Sequence, residues 1–312
     1  MLKLDQLHCF VTVVREGSFT DAAKALNLSP SAIAYKVEAL EAQLNIGLLI
    51  RKPASGVTVT REGARLLRMA DPLLAEMSEI EQLFGAKGKQ LRGELVIGCQ
   101  EGLGWSLAPR AIEKLTARHG KLSVRQKTVF MDEGNEPVLS GDVDVLITFL
   151  VNPVREPGVD IEILCEPNSY ALMRADHPLA ARRDGADLEE LVRYPHIFIS
   201  DGPAFELFTG IYRDRNLTPE FSKVSNISTA AQAMVGRSDA ISLRVVRPAH
   251  DLSPLGDRLA FIPLKNATRH ASIAAISGKR KHGARSPRIE AFVAECRRLF
   301  QDGSMRAHLF YE

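Results

Sequence analysis

Few residues in this chain are spaced for making or breaking bonds. HExxH, GxGxxG, the P-loop and GxSxG are all absent, so no zinc-activated water, cradled phosphate or activated serine is written here. The eight histidines are scattered, and His177, in Asp176-His177-Pro178-Leu179, reads as a structural loop residue and not as a proton-transfer group. Cys9, Cys99, Cys165 and Cys296 form no CxxC pair, which excludes a zinc ribbon or dithiol and leaves buried thiols in a reducing compartment. The expectation is no enzyme, no cofactor and no metal. What remains is hydrogen-bonding and ionic chemistry. Near the amino end, Ser18, Thr20, Ser29, Ser31, Tyr35, Lys36, Arg51 and Lys52 are the side chains able to meet a polyanion.

Charge distribution agrees with that reading. Residues 1–68 hold nine Lys and Arg against six Asp and Glu, a net +3, and residues 265–312 hold ten against four, a net +6. The intervening body is −7, so the overall +2 hides a basic head on an acidic body. Lys279-Arg280-Lys281 in the tail reads as a solvated surface loop. At 312 residues the chain exceeds one compact core and calls for two or three units. A hydrophobic content of 45% with 25% charged residues excludes collagen-like and disordered classes. No apolar run approaches a membrane span, and charges interrupt the amino end too often for a signal peptide, so the cytosol is the expected compartment and no membrane partner is expected.

The elements that must position the amino-terminal polar residues follow from periodicity and caps. Leu7, Phe10, Val11 and Val14 recur at helical spacing until Gly17. Ser18, with Asp21 three residues on, opens a short helix packed through Ala22, Ala23 and Leu26. Asn27-Leu28 turns the chain, Ser29 caps the next helix and Pro30 suits its first turn. There Ile33, Val37, Leu40 and Leu44 face a core, leaving Ser31, Ala34, Tyr35 and Lys36 outward. Two short helices joined by a tight turn describe a helix-turn-helix whose second helix enters a major groove, or an ordinary helical hairpin. Arg51 to Gly56, followed by Val57 to Thr60, reads as a small wing.

Beyond Thr60, Leu66, Ala70, Leu73, Met77, Ile80 and Phe84 step alternately by four and three, an a/d seam that wants a partner helix. Pro72 should kink or restart that helix near Asp71, and Gly85 to Lys89 reads as a linker. From Leu91 onward, strands alternate with helices. Strands are expected at 94–98, 122–130, 143–149, 170–173, 196–200, 221–224 and 240–243, with helices at 103–119, 204–215 and 228–236. The apolar run Val143 to Val151 reads as a strand buried on both faces of a parallel sheet. This is α/β architecture in two lobes, with the chain crossing near Glu166 and returning near Leu264.

Gly17-Ser18-Phe19-Thr20, Ala22-Ala23, Glu38-Ala39-Leu40-Glu41, Leu48-Leu49, Arg51, and Thr60 with Gly63 and Leu66-Leu67 together resemble the LysR-type transcriptional regulators. The similarity continues through Arg92 to Gly98, Asp176 to Leu179, and Met234-Val235-Gly236 leading to Ile241-Ser242-Leu243. The resemblance implies an all-α winged helix-turn-helix at 1–60, a coiled-coil linker and dimerisation helix at 61–90, and a two-lobed α/β effector domain at 91–312. That domain resembles periplasmic solute-binding proteins, with one lobe at 91–165 plus 266–312 and the other at 166–265. It further implies double-stranded promoter DNA as partner, a small-molecule effector, a homodimer or tetramer, and RNA polymerase as a further candidate partner. Effector binding would change the angle between lobes and so the spacing and bending of bound DNA. The alternative is a constitutive regulator with a vestigial or redox-responsive effector domain.

In this family the helix from Ser29 to Leu44 reads the major groove. Here Pro30 replaces the usual Gln, and Ala34-Tyr35 replaces Ser-Arg or Ser-Gln, so no bidentate Arg–guanine contact is offered at Tyr35. Arg51 and Lys52 become the phosphate contacts of the wing, joined by Ser18, Thr20 and Lys36. In the effector domain, ligands sit beyond the carboxyl ends of strands, which selects Gln100, Glu101, Gly102, Met131, Phe149, Ser200, Asp201 and Asn226. Two carboxylates at one cleft, Glu101 and Asp201, would repel an anionic effector and favour an amine-bearing, donor-rich or near-neutral one. Alternatively, each caps the helix that follows it.

Overall fold

The computed structural model describes residues 2–52, 56–84, 90–151, 156–182, 184–199, 203–248, 250–265, 271–279 and 285–305. The expected linker at 85–89, the wing tip at 53–55, Ser200, Asp201, Arg280 and Lys281 lie outside these residues. The chain forms two compact units, 1–89 and 90–312.

In the first unit, α1 (Leu4–Glu16) ends at Gly17, whose φ of 71° places it in the left-handed region that favours glycine. Ser18 Oγ accepts the Asp21 N–H at 3.0 Å and opens α2 (Phe19–Leu26). Left-handed Asn27 ends α2, and Ser29 Oγ accepts the Ala32 N–H at 3.2 Å to start α3 (Pro30–Leu44). Phe10, Val13, Ala22, Ile33, Val37 and Leu40 are fully buried where the three helices meet. Each such large side chain contributes about 1.5–3 kcal/mol of transfer free energy.

Glu41 then fixes where the wing begins. Its Oε1 accepts the N–H groups of Leu48 at 2.6 Å and Leu49 at 3.0 Å. The wing is an antiparallel pair, β1 (Leu49–Lys52) and β2 (Gly56–Val59), and the Val57 N–H donates to the Gly17 carbonyl at 2.9 Å. Helix α4 (Arg61–Phe84) follows, and Gly63 lets it lie against Leu48: a Cβ there would stand 2.1 Å from the Leu48 carbonyl oxygen. The helix does not restart at Pro72; one element carries through it. A proline inside a helix deletes one N–H bond, and here the packing of Ala70 and Leu74 against the α1–α3 core holds the helix on both sides of the gap.

The second unit contains β3 (Arg92–Cys99), α5 (Glu101–Ser106), α6 (Ala108–Arg118), β4 (Lys121–Thr128), a 3-10 turn at Met131–Glu133, α7 (Glu136–Leu139), β5 (Val145–Val151) and β6 (Val159–Cys165). It continues with β7 (Tyr170–Arg174), α8 (Leu188–Leu191), β8 (His196–Ile199), α9 (Pro203–Arg213), β9 (Phe221–Ser225), α10 (Ser228–Gly236), β10 (Ser242–Arg244), β11 (Leu259–Pro263), β12 (Ala271–Gly278) and α11 (Pro287–Gln301). The helix expected over 103–119 is two helices, because Pro109 near the start of α6 supplies no N–H to continue α5.

One lobe is a five-stranded sheet in the order β4-β3-β5-β12-β6. β5 is buried as its composition demands, yet the sheet is mixed: β3 runs parallel to β4 and β5, whereas β12 is antiparallel to both β5 and β6. In the other lobe β7 lies between β10 and β11, both antiparallel to it, β8 pairs in parallel with β9, and a bridge between His196 and Ile241 links the two groups. His196 is fully buried there, its Nε2 2.6 Å from the Tyr212 hydroxyl, and burial pulls the imidazole down to about 4. His177 is also buried, taking the Leu179 N–H on Nδ1 and resting edge-on against Tyr194, a loop-closing role.

Candidate functional site

The amino-terminal polar residues fall into two groups. Thr20, Ser29, Pro30, Ser31 and Tyr35 are exposed, and Tyr35, at 73%, projects from the first half of α3 into solvent. Ser18, Ala34 and Lys36 are half-buried. Ser18 is occupied as the α2 cap and also donates to the Asp21 carboxylate at 2.7 Å; Ser29 caps α3 and lies 3.0 Å from Ser31 Oγ. Lys36 differs from its expected outward role, because its ammonium is bonded to Asp5 of α1, which raises the lysine and lowers the carboxylate. Arg51 and Lys52 stand at the end of β1, opposite Val57 and Gly56. Periodicity missed Arg61, Arg65 and Arg68, exposed on α4 and with no ion-pair partner among the described residues. Their spacing of four and three was the available signal.

The second unit holds a cavity of about 150 Å³ between its lobes. Gln100, Glu101, Gly102, Met131, Phe149 and Asn226 all line it, so six of the eight residues chosen at strand ends come together; Ser200 and Asp201 lie outside the described residues. Gln100 is buried and its Oε1 takes the Phe149 N–H at 3.1 Å, tying the end of β3 to β5. The remaining wall is largely apolar, including Val129, Leu207, Phe208, Val245 and Ala271.

Glu101 lines the cavity as expected, but through contacts that neither expectation named. It stands in the first turn of α5, and no side-chain cap bond to that helix is made. Its carboxylate reaches across the cavity to α10, accepting the Ser228 N–H at 2.7 Å, the Thr229 N–H at 3.3 Å and the Thr229 hydroxyl at 2.8 Å. The residue before α10 is Ile227, whose side chain offers no acceptor, so two orphan donors are satisfied from the opposite lobe. Beneath them lies Arg244, 4% exposed, donating to Ser228 Oγ at 2.7 Å, the Ser228 carbonyl at 3.3 Å and Ser242 Oγ at 3.2 Å. Burial lowers the guanidinium to about 10 against the opposing pull of Tyr170 and Glu101, leaving it charged at neutral pH. Arg244 was overlooked although its signal was present, a lone cation in the apolar run Ile241-Ser242-Leu243-Arg244-Val245-Val246.

Two family models match. The bacterial regulatory helix-turn-helix protein of the lysR family matches residues 4–64, and the LysR substrate-binding domain matches residues 88–301. The chain is a LysR-type transcriptional regulator. Its parts are a DNA-binding helix-turn-helix head and a two-lobed α/β effector domain, and it is not an enzyme. The regulator is 29% identical over 232 residues to the transcriptional regulator YvbU of Bacillus subtilis, covering 73% of this chain and 77% of that one. It is 28% identical over 271 residues to a probable nitrogen assimilation transcriptional activator of Synechocystis, covering 84% and 85%. Among solved structures, a LysR-family regulator from Pseudomonas aeruginosa superposes with a TM-score of 0.61 at 25% identity, covering 96% of this chain and 99% of that one. A full-length OxyR variant from the same organism shares the fold with a TM-score of 0.67 at 22% identity, covering 95% and 98%. Among the described residues no helix is long and apolar enough to cross a membrane.

Proposed function

We propose that the regulator responds to a small effector held in the cavity between β3–α5 and α10–β10, and that α3 and the wing carry its DNA contacts. The cavity supports the effector reading: residues from distant strand ends converge on it, and its 150 Å³ matches a space that holds one benzene-sized body. On the DNA side the exposed hydroxyl of Tyr35 is the base-edge candidate, with Thr20, Ser31, Arg51, Lys52 and the α4 arginines toward phosphates. A redox-responsive domain is less well supported. Burial pushes the Cys99 thiol up to about 12 and raises Cys296 well above its ordinary value, which disfavours the reactive thiolate at those two, leaving half-buried Cys165 as the more accessible thiol of the domain.

Self-association through α4 belongs to the same proposal. Met69 is 62% exposed and Leu73 50% exposed, with half-buried Met77 four residues on, an apolar stripe on α4, whereas Leu66, expected in the seam, packs with Ala70 and Leu74 on the core of the head. Occupancy of a promoter would act by recruiting or excluding RNA polymerase, in the cytosol where the DNA is. DNA binding measured against salt on a promoter fragment tests the head. Tyr35→Ala should weaken a cognate fragment about tenfold and leave non-cognate DNA unchanged, whereas Arg65→Ala should weaken both and lower the salt slope by about one. Equal loss on both fragments for Tyr35→Ala would refute the base-edge role.

A further inference from the structure

In the cleft, two helix N–H groups with no intrahelical partner and the Thr229 hydroxyl converge on one point, the Glu101 carboxylate from the facing lobe occupies it, and the buried Arg244 guanidinium braces Ser228 through its hydroxyl and carbonyl oxygens. Such a convergence is an anion subsite in everything but its occupant, since α10 points its positive end at it and Arg244 stands behind. The occupant is not a solute but the chain itself. With Glu101 held by Ser228 and Thr229, and Arg244 held by Ser228 and Ser242, the only other ionisable side chain at the described cavity wall is exposed Asp132. The interior left for a ligand is largely apolar, bounded by Val129, Phe149, Leu207, Phe208 and Val245, with Gln100 and Asn226 among its neutral polar groups.

We propose that Glu101 is the specificity-determining residue of the cleft. By filling the anion subsite with its own carboxylate, the chain selects an effector that is uncharged, ring-sized and apolar where it faces α10, and rejects carboxylates there. The assignment rests on the cleft being the effector site. Donors at a partly buried site, as at Ser228 and Thr229, discriminate between a ligand that leaves them satisfied and one that must displace the group already satisfying them. A free carboxylate would have to evict Glu101 and leave that charge stranded against an apolar wall. A neutral ring enters without disturbing the bonds between Glu101 and α10. Glu101 also joins the lobes, so the same contact holds the cleft closed.

The test uses the full-length protein with benzyl alcohol, benzoate and acetate as probes, at constant ionic strength set with chloride. Wild type should bind benzyl alcohol at least tenfold more tightly than benzoate by calorimetry. Glu101→Ala vacates the subsite, so benzoate should gain at least tenfold, and acetate should raise the melting temperature of the variant but not of wild type. Glu101→Gln, which keeps an acceptor without the charge, serves if the alanine variant does not fold; benzoate should gain there too, by a smaller factor. Wild type binding benzoate as tightly as benzyl alcohol, or both variants gaining nothing from either anion, would overturn the assignment. The two readings fail separately. Acetate protection of Glu101→Ala depends on the subsite alone and upholds Glu101 as its occupant, even if no ring compound binds wild type and the cleft is lost as effector site.

Discussion

Replacing Glu41 by Ala should selectively unfold the DNA-binding unit. The Glu41 carboxylate takes the N–H groups of Leu48 and Leu49, and Leu48 is buried, so its amide has no solvent to turn to. Leaving a buried donor unpaired costs about 1–3 kcal/mol, and hydrogen bonds to a charged acceptor contribute about 1.5–3 kcal/mol each. Glu41 is half-buried and water can serve the Leu49 amide, so the expected loss is about 2–4 kcal/mol. For a unit of this size that corresponds to a fall of roughly 10–20 °C in melting temperature. The single tryptophan, Trp105, lies in α5 of the second unit. Far-ultraviolet circular dichroism therefore reports both units and tryptophan fluorescence only the second. The variant should split the dichroism transition, with an early phase for the head and an unchanged fluorescence transition. Glu41→Gln, which retains the acceptor, should lose less than half as much. A head transition within about 2 °C of wild type, or fluorescence and dichroism falling together, would refute the argument.

Gly63→Ala should destabilise the head by about 1–3 kcal/mol in the same assay, because the Leu48 carbonyl must move to admit a Cβ; a neutral result would mean the α4–wing approach is looser than described. His196 is held neutral by burial, with a folded value near 4 against about 6.5 unfolded, so the unfolded chain binds the extra proton between those values. Stability of the second unit should then be fully present above about pH 6.5 and decline toward pH 4, by about 3 kcal/mol at most, and His196→Asn should flatten that part of the fluorescence-monitored profile. Leu73→Glu should lower the oligomeric state in sedimentation while sparing the fold, since that side chain is half exposed.

The head was legible because its signals are local. Ser18, Ser29, Gly17 and Asn27 each act within four residues of where they stand, so cap chemistry read from the sequence reappears as cap geometry. The effector domain was legible as alternation, and strand ends led to six cavity residues. What escaped was nonlocal. β12 was not foreseen because its small, mixed run gains meaning only between β5 and β6, more than a hundred residues upstream of it. The role of Glu101 was hidden for the same reason: its helix partner is 127 residues away, and no spacing rule links a carboxylate in one lobe to orphan donors in another. Lys36 looked outward by periodicity, and only the packing of α1 on α3 set Asp5 against it.

The placement of β12 has a consequence for how the protein is made. β5 ends at Val151 and its neighbour β12 begins at Ala271, so a ribosome must add about 120 residues before the sheet of the first lobe can close. At about 5–20 residues per second that interval is on the order of 6–24 s. During it the head and most of the second lobe, each drawn from contiguous chain, have all they need to fold. The long apolar edge of β5 does not, and stands as an unpaired template for another nascent chain. Slower translation across residues 152–270 should therefore lower the yield of intact protein by lengthening the time that this edge stands open.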